Sequence, residues 1–393
     1  MSVKYPENVI RIAKILAASG YKAYAVGGCM RDAIMGRIPN DWDMTTDCSP
    51  EKMIEIFENA GVRTIPTGLK HGTVSVILDN EIYECTTFRI DGSYTDSRHP
   101  DKVTFTSDIV EDLRRRDFTV NAMAGDPLSR NDQIVDVFGG REDIENKIIR
   151  AVGDPEKRFT EDALRILRAI RFATVLDFEI ENETNEAAIK LGHRLDGISA
   201  ERKSVELQKI LLSSHADRGI SLLIDTGLAK YIHPDITAPR VPLNSLSKSI
   251  SARLSALFPS VPNLSRMKLS NEIVKHTTTL CDNELYNELL CQFSDMKACA
   301  RLMLSKYANI AEDAALLRGN AILAKTISEE RAKDPCVTIK ALSVGGNDLI
   351  SAGIEAKKLG SIMSSLLLSV IEDPTLNEKD TLVSIAKNLA ERK

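Results

Sequence analysis

The first third of the chain mixes helical and strand-like hydrophobic patterns. Residues 1–20 carry apolar side chains at helical spacing, which predicts an amphipathic helix whose apolar face is formed by Ile10, Ile12, Ile15 and Leu16. Strand-like segments follow at residues 24–26, 73–78 and 82–88, with turn residues at 27–28, 67–68 and 79–80. A short helix is predicted from Pro50 to Asn59, before Gly61. These patterns predict a small mixed α/β domain.

From about Thr160 onward the pattern becomes helical almost throughout. Apolar residues recur with the 3.6-residue period of a helix in three consecutive segments, at residues 161–173, 199–213 and 216–232. Residues 236–275 contain several prolines and serines that weaken this period, and helical patterns return from about residue 341. The predicted fold class is therefore α+β, with a small α/β head followed by a long helical remainder.

Composition narrows the class of protein without naming a function. A chain of 393 residues exceeds one typical core, so two to four domains are expected. The net charge of −5 argues against a protein coated in basic residues, but it leaves RNA open as a partner, because a local basic groove is enough for phosphate contacts.

Targeting signals and cysteine spacing indicate in which cellular compartment the protein is expected. The N-terminal segment lacks a basic leader and a cleavage site, and no stretch approaches the roughly 18 apolar residues of a membrane span. The seven cysteines form no CxxC pair. We therefore expect a cytoplasmic protein with reduced thiols and no membrane association.

Two carboxylates two positions apart, Asp41 and Asp43, follow the turn at Gly27-Gly28. In an extended segment both side chains point to one face, where they repel each other unless a cation lies between them. Mg²⁺ favours one or two carboxylates together with substrate phosphates, and glycines let backbone N–H groups approach a triphosphate. The alternative is an ordinary strand, turn and solvated loop. Glu84 could supply a third carboxylate or face outward from its strand.

A run of charges ends in Arg116 and Asp117, just before an apolar stretch. In a nucleotide site Arg116 would contact phosphate and Asp117 would accept a hydrogen bond from a ribose hydroxyl, whereas a solvated charged face is the alternative. Farther along, Gly139-Gly140 is predicted to be a structural turn between a strand and a helix.

The segment at 159–169 predicts a helix that begins with Thr160 as its N-cap. On one helix, Glu161, Asp162 and Arg165 share a face, because they lie three and four positions apart. The surrounding residues are apolar, so this charged stripe resembles the lining of a cleft. An acceptor and a planar donor at fixed spacing could recognise the edge of a base; a surface ion pair worth about 0–1 kcal/mol is the alternative.

The order of these motifs resembles that of the class II CCA-adding enzymes, the tRNA nucleotidyltransferases, and of their bacterial poly(A) polymerase relatives. The resemblance is carried by Gly27-Gly28-x-x-Arg31-Asp32, Asp41-x-Asp43, Arg115-Arg116-Asp117-Phe118-x-x-Asn121-Ala122, Gly139-Gly140-Arg141, Glu161-Asp162-x-x-Arg165 and the helix motif at 199–207. It extends over roughly residues 20–210 and weakens beyond them.

The resemblance implies an architecture and a set of roles. It implies a head at 1–146, a helical neck at 147–212, a body at 213–335 and a tail at 336–393 that binds tRNA. Asp41 and Asp43 would bind two Mg²⁺ ions and form the catalytic set with Glu84. The remaining roles would be triphosphate binding by Gly27, Gly28, Arg31 and Arg116, ribose binding by Asp117, and base recognition by Asp162 and Arg165, with Glu161 holding Arg165.

The implied reaction is stepwise addition of C, C and A to the 3′ end of tRNA from CTP and ATP, without a nucleic acid template and without DNA as a partner. A full-length loop at 89–105, with Tyr94, Asp96 and Arg98, favours addition of the terminal A, and the tail lacks the long basic extension of poly(A) polymerases. A poly(A) polymerase, an A- or CC-adding relative and a non-catalytic RNA-binding protein remain the alternatives. No His-Asp doublet is present, so phosphohydrolase activity is not expected.

Overall fold

Strands dominate the centre of the N-terminal half of the computed structural model, which describes residues 3–92, 103–129 and 133–391. The loop residues Tyr94, Asp96 and Arg98 lie outside these ranges. The described strands are β1 (Ala23–Val26), β2 (Met44–Thr46), β3 (Arg63–Gly68), β4 (Thr73–Leu78), β5 (Glu81–Thr87), β6 (Arg89–Asp91), β7 (Val103–Phe105), β8 (Ala124–Gly125), β9 (Ile134–Val135), β10 (Ile148–Ile149) and β11 (Glu179–Ile180).

Within the described ranges, seven of these strands form one mixed sheet in the order β3-β4-β5-β2-β1-β8-β9. β2 pairs with β1 in antiparallel fashion and with β5 in parallel fashion, and the second pairing places Met44 opposite Cys85. The segments predicted as strands at 24–26, 73–78 and 82–88 correspond to β1, β4 and β5. The turn predicted at 67–68 is wrong, because both residues belong to β3, an edge strand with little apolar burial.

The chain divides into two compact units, Met1–Pro234 and Asp235–Lys393. The helices described in the first unit are α1 (Glu7–Ala18), α2 (Gly28–Ile34), α3 (Pro50–Asn59), α4 (Ile109–Arg114), α5 (Gly140–Glu145), α6 (Pro155–Glu161), α7 (Leu164–Leu176), α8 (Asn182–Leu191), α9 (Ala200–Leu211) and α10 (Ala216–Asp225).

The second unit is helical in its described part. Its helices are α11 (Ile250–Ser255), α12 (Asn271–Cys281), α13 (Asn283–Leu290), α14 (Met296–Tyr307), α15 (Ala311–Leu316), α16 (Ala321–Arg331), α17 (Gly346–Ser351), α18 (Leu359–Glu372) and α19 (Lys379–Glu391). A mixed sheet with helices, followed by helices alone, confirms the predicted α+β class. None of the described helices has the length and apolar character needed to cross a membrane.

The core of the sheet region forms where α1, α2 and α3 pack on the strands. Met30, Met44, Phe57, Val76 and Cys85 are among the side chains that meet there with almost no exposed surface. Helix α1 buries Val9, Ile12, Ala13 and Leu16, a face rotated from the one predicted, since Ile10 and Ile15 are only half-buried. Helix α3 was predicted correctly, and its start is fixed because Ser49 accepts a hydrogen bond from the backbone of Lys52.

The turn predicted at Gly139-Gly140 precedes α5. Gly139 has a positive φ of 75°, and the carboxylate of Asp136 accepts hydrogen bonds from the backbone N–H groups of Gly140 (2.7 Å) and Arg141 (2.9 Å). A Cβ at Gly140 would lie only 2.3 Å from the backbone oxygen of Thr119. Because that contact is with backbone, a side chain at position 140 could be accommodated only if the backbone at Thr119 shifted.

We therefore expect Gly140→Ala to lower the free energy of unfolding by about 2 kcal/mol, as overpacking against backbone does. Urea unfolding followed by circular dichroism would measure the change. Gly197→Ala is the matched control, because a Cβ there meets no atom within 4 Å and its φ is not positive. Equal unfolding midpoints for the two variants would contradict the prediction.

Candidate active site

The carboxylate pair lies just before the central strand β2. The backbone N–H of Val26 at the end of β1 donates to the backbone carbonyl oxygen of Asp43 (2.9 Å), which fixes this segment against the sheet. Asp41 and Asp43 are exposed, while Trp42 between them is half-buried and packs on Tyr5 with ring centroids 5.6 Å apart. The alternation expected of an extended segment is therefore present.

Asp43 carries an unfavourable charge. Although the residue retains exposed surface, partial burial of its carboxyl, together with the negative charges of Asp41 and Glu84, raises its pKa to about 6. The positive charge of Arg116 acts in the opposite direction but does not offset them. The parallel pairing of β2 with β5 explains why the charge of Glu84 acts on Asp43. Met44 lies opposite Cys85, so the residues that precede them, Asp43 and Glu84, are neighbours.

These residues fit a divalent cation that takes further ligands from elsewhere. In the described ranges, no three His, Cys, Asp or Glu side chains are close enough to hold a metal ion by themselves. Two neighbouring carboxylates are the donor set expected when phosphate and water complete the coordination of a hard cation. The pair alone does not identify which cation binds.

The glycine turn between β1 and α2 brings bare backbone next to two guanidinium groups. Gly27 has a φ of 84°, and a Cβ there would lie 3.0 Å from Nη1 of Arg116. A Cβ at Gly28 would lie 3.6 Å from Nη2 of Arg31. The Arg31 side chain is held in turn by Asp32 (Nε to Oδ1, 2.8 Å) and by Asn121 (Nη1 to Oδ1, 2.7 Å). The turn, Arg31 and Arg116 therefore form one surface.

Arg116 shares a buried anchor with Arg115. Asp112 is completely buried and accepts hydrogen bonds from Arg115 (2.9 Å) and Arg116 (3.3 Å). Burial would raise the pKa of Asp112, but the two guanidinium groups outweigh it and lower the pKa. The Nε–H group of Arg116 has no hydrogen-bond partner in the described part of the chain. The atom of Arg116 that lies beside the glycine turn is Nη1, because Nε is buried.

Asp117 is buried and is held by a hydrogen bond at each carboxylate oxygen. Its Oδ1 accepts from the backbone N–H of Phe118 (2.9 Å), and its Oδ2 accepts from Nε of Arg168 (2.7 Å). Burial raises the pKa of this carboxyl, but Arg168 and, more weakly, Arg165 lower it to about 2. Asp117 is therefore a fixed, ionised acceptor.

The prediction of one helix beginning at Thr160 is wrong. Thr160 lies inside α6, whose start is set by Pro155 and by Asp154, which accepts from the backbone of Glu156 (2.9 Å). Asp162 has extended backbone angles and separates α6 from α7. Its Oδ1 accepts from the N–H of Leu164 (3.0 Å) at the start of α7. Asp162 therefore does not share a continuous helical face with Arg165.

Arg165 is nevertheless held by Glu161 across this break. Its Nη1 donates to Oε2 of Glu161 (2.9 Å), and its Nη2 donates to the backbone oxygen of Arg115 (3.0 Å). The other oxygen of Glu161 accepts from Arg158 (2.5 Å). Only 9% of Arg165 is exposed. A guanidinium group held on both sides in this way has little freedom to turn.

One cavity of about 260 Å³ brings the predicted ribose and base contacts together. The residues that line it are Arg115, Arg116, Asp117, Asp162, Leu164, Arg165, Arg168 and Arg202. A larger cavity of about 580 Å³ lies next to it and shares Arg115 as a wall residue. Asp41, Asp43, Glu84 and the glycine turn do not line the smaller cavity, and Arg116 connects the two groups of residues.

Sequence reasoning missed four members of this arrangement: Asp112, Arg158, Arg168 and Arg202. Each pairs with a residue that was predicted: Asp112 with Arg116, Arg158 with Glu161, Arg168 with Asp117 and Arg202 with Asp162 (2.8 Å). Arg168 had a detectable signal, since it follows Arg165 by one helical turn within an otherwise apolar segment. The partner of Arg202 is 40 positions away, and no local spacing indicates it.

Comparison with known proteins identifies the class. The family model described as the poly A polymerase head domain matches residues 23–150, and a model described as a probable RNA and SrmB-binding site of polymerase A matches residues 177–238. With the carboxylate pair beside a glycine turn, these matches define a nucleotidyltransferase. Enzymes of this class generally use a divalent metal.

Full-length relatives identify the family. The CCA-adding enzyme of Levilactobacillus brevis is 35% identical over 95% of both chains, and that of Bacillus subtilis is 34% identical over 88% of both. The crystal structure of the Bacillus stearothermophilus CCA-adding enzyme in complex with CTP matches with a TM-score of 0.79 and 31% identity over 99% of both chains. The chain belongs to the family of CCA-adding enzymes, which are tRNA nucleotidyltransferases. The resemblance carried by the sequence motifs is thus confirmed.

The raised pKa of Asp43 leads to a pH-dependent prediction. An acid whose pKa in the folded protein is about 6, above its ordinary value of 3.8, costs folding free energy when it is ionised. This cost is fully present above the folded pKa and disappears as the pH falls below the ordinary value. In the metal-free protein, Asp43→Asn should therefore raise the melting temperature at about pH 8, with a gain that shrinks towards about pH 4.

Calorimetry in the presence of a chelator would measure this gain across the pH range. Saturating divalent cation provides the control, because a cation that binds the native carboxylates stabilises the unmodified protein and should reverse the sign of the difference. A difference in melting temperature that does not change with pH would contradict the prediction.

Proposed function

We propose that the protein adds C, C and A stepwise to the 3′ end of tRNA, using CTP and ATP, releasing pyrophosphate and needing no nucleic acid template. The observation that carries this proposal is the cavity that holds Asp117, Asp162 and Arg165 together, connected through Arg116 to the glycine turn and the carboxylate pair. The likeness to an enzyme solved in complex with CTP supports the same assignment.

We assign the catalytic centre to Asp41 and Asp43, which would hold Mg²⁺, with Glu84 as the neighbouring third carboxylate. The bound cation would activate the attacking 3′ hydroxyl and neutralise the leaving pyrophosphate. The chain itself contributes two carboxylates on a backbone segment that the bond from Val26 to the carbonyl oxygen of Asp43 holds against the sheet. Mg²⁺ is favoured over softer metals because the proposed donor set, Asp41 and Asp43, consists of carboxylate oxygens.

The triphosphate would lie on the surface formed by Gly27, Gly28, Arg31 and Arg116. Arg116 is suited to this role because its Nη1 lies beside the bare backbone of Gly27, 3.0 Å from where a Cβ would be. Arg31 is oriented by Asp32 and Asn121, so its guanidinium is fixed before a ligand arrives. Preorganised donors of this kind stabilise developing charge without further reorganisation.

Base choice follows from hydrogen-bond chemistry at Asp162 and Arg165. Cytosine and adenine both present an amino donor next to a ring-nitrogen acceptor, whereas uracil and guanine present a carbonyl next to a ring N–H. A carboxylate only accepts and a guanidinium only donates. One fixed acceptor and one fixed donor therefore match C and A and are mismatched to U and G, and Glu161 keeps the donor in place.

The remaining assignments depend on the family rather than on the site. We infer the division into head, neck, body and tail at residues 146, 212 and 335, with tRNA held by the tail, and a cytoplasmic location. A switch from C to A by the loop bearing Tyr94, Asp96 and Arg98 is part of the proposal, although these residues lie outside the described ranges.

Sequencing the 3′ ends made on a tRNA that lacks CCA, with CTP and ATP supplied, tests the proposal. Complete CCA ends support it. A homopolymer of A would identify a poly(A) polymerase, and ends that stop at CC or that acquire only A would identify a partial relative. Binding of tRNA without any extension would identify a non-catalytic RNA-binding protein.

Asp41→Asn and Asp43→Asn should each abolish incorporation of both CTP and ATP while leaving tRNA binding nearly intact, because the lost charge holds metal and does not contact RNA. Incorporation of labelled nucleotide in saturating Mg²⁺, together with a filter-binding assay for tRNA, would measure both effects. Near-normal turnover by either variant would contradict the assignment.

Arg165→Ala should relax base choice, so that UTP and GTP compete with CTP and ATP. Loss of a directed hydrogen bond in a buried site is worth about 1–3 kcal/mol, which corresponds to roughly 5- to 150-fold in selectivity. Competition assays with pairs of nucleotides would measure the ratio. A slower enzyme with unchanged selectivity would leave Arg165 with a structural role only.

A further inference from the structure

Two arginines from different helices each hold one of the acids assigned to nucleotide binding. Arg168 on α7 donates from Nε to Oδ2 of Asp117 (2.7 Å), and Arg202 on α9 donates from Nη2 to Oδ2 of Asp162 (2.8 Å). The second oxygen of each acid accepts a backbone N–H, from Phe118 in one case and from Leu164 in the other. Neither carboxylate can rotate without breaking hydrogen bonds at both oxygens.

The position of Arg202 is set by the packing of α9 on α7. Arg171 of α7 donates to Glu206 of α9 (2.5 Å), and both side chains are largely buried. Lys203 donates from Nζ to the backbone oxygen of Tyr231 (2.7 Å). Lys203 and Glu206 follow Arg202 by one and four positions in α9, so the guanidinium reaches the cavity from an anchored element.

The two ion pairs act largely independently. The charge of Asp117 is the largest influence on Arg168 and raises its pKa, whereas Asp162 has only a minor effect on the same group. Arg168 and Arg202 belong to separate helices and share no carboxylate as a hydrogen-bond partner in the described residues. Removal of one arginine is therefore expected to release one acid and leave the other in place.

Each pinned carboxylate retains acceptor capacity toward the cavity. A carboxylate has about four lone-pair sites, and the bonds that Asp162 accepts from Leu164 and Arg202 occupy two of them. An ionised acid fixed in one orientation accepts a hydrogen bond from an amino group or a hydroxyl and repels a carbonyl oxygen. A free-turning acid would discriminate less well between these groups.

We propose that Arg202 and Arg168 divide nucleotide selection between them: Arg202 fixes Asp162 and sets the choice of base, and Arg168 fixes Asp117 and sets the choice of sugar. Both are positioning residues, and the inference rests on the proposed function, in which Asp162 contacts the base and Asp117 the ribose. The ligand class is a ribonucleoside triphosphate whose base presents an amino group next to an unprotonated ring nitrogen.

The test compares kcat/KM for CTP, UTP and dCTP on a tRNA that lacks CCA. Arg202→Gln should lower the preference for CTP over UTP about tenfold or more while the preference for CTP over dCTP stays unchanged. Arg168→Gln should lower the preference for CTP over dCTP by a similar factor while the preference for CTP over UTP stays unchanged. Arg202→Lys and Arg168→Lys keep the charge without the planar fork and should restore part of each preference.

Arg331→Gln is the control, because Arg331 forms an exposed ion pair with Glu312 in the second unit. Both preferences should be unchanged in that variant. If a Gln variant does not fold, the corresponding Lys variant carries the test through a smaller shift of the same ratio. Circular dichroism would establish which variants are folded.

Three results would overturn the inference. Both preferences could fall together in each variant, both could stay constant while the overall rate declines, or each arginine could affect the opposite ratio. If the unmodified protein completes CCA ends and any of these results is found, the inference fails alone. If the unmodified protein transfers no nucleotide to tRNA, the proposed function fails and the inference with it.

Discussion

The balance of charge around carboxylates is the constraint on which the site depends. Asp112, Asp117, Glu161 and Asp162 each have an arginine partner within hydrogen-bond distance. Asp43 instead is crowded by two further acids, and its pKa rises to about 6, whereas that of Asp117 falls to about 2. Arginines thus pair with Asp117 and Asp162, the acids that would contact the nucleotide. Asp43, which would hold a cation, lies instead beside other acids. Burial disfavours the charged form of both Asp43 and Asp117, and it is the arginine charges beside Asp117 that lower its pKa despite burial.

The same pairing also immobilises the arginines. A free arginine side chain has several rotamers, and fixing them when a ligand binds costs conformational entropy. Here Arg31, Arg116 and Arg165 are held by acids or backbone oxygens before any ligand is present. The cost is met during folding, by packing in the sheet region and in the helices that follow it. A site of this kind is suited to a ligand that must be recognised repeatedly.

How far the sequence predicted this site depends on the range of each interaction. The carboxylate pair, the glycine turn and the pairing of Glu161 with Arg165 are local, and each was predicted from spacing or motif. The start of α6 was missed because Asp154 and Pro155 form a stronger start signal than Thr160. Arg202 was missed because its bond to Asp162 depends on how α9 packs on α7, and nothing in the spacing of the two residues encodes that packing. The roles of the site residues stay predictions, since the geometry shows where they lie and not what they bind.

The break between α6 and α7 has a consequence for recognition. On a continuous helix, Asp162 and Arg165 would project from nearly the same line, and the carboxylate would compete with Glu161 for the guanidinium. The extended backbone at Asp162 turns its carboxylate away from that line, where it caps α7 through Leu164 and pairs with Arg202. Arg165 is left to Glu161. The acceptor (Asp162) and the donor (Arg165) therefore do not pair with each other. Recognition of two complementary groups on one base edge would require this separation. Under the proposed function, the extended backbone at Asp162 between the two helices is what would allow the two side chains to act as a template.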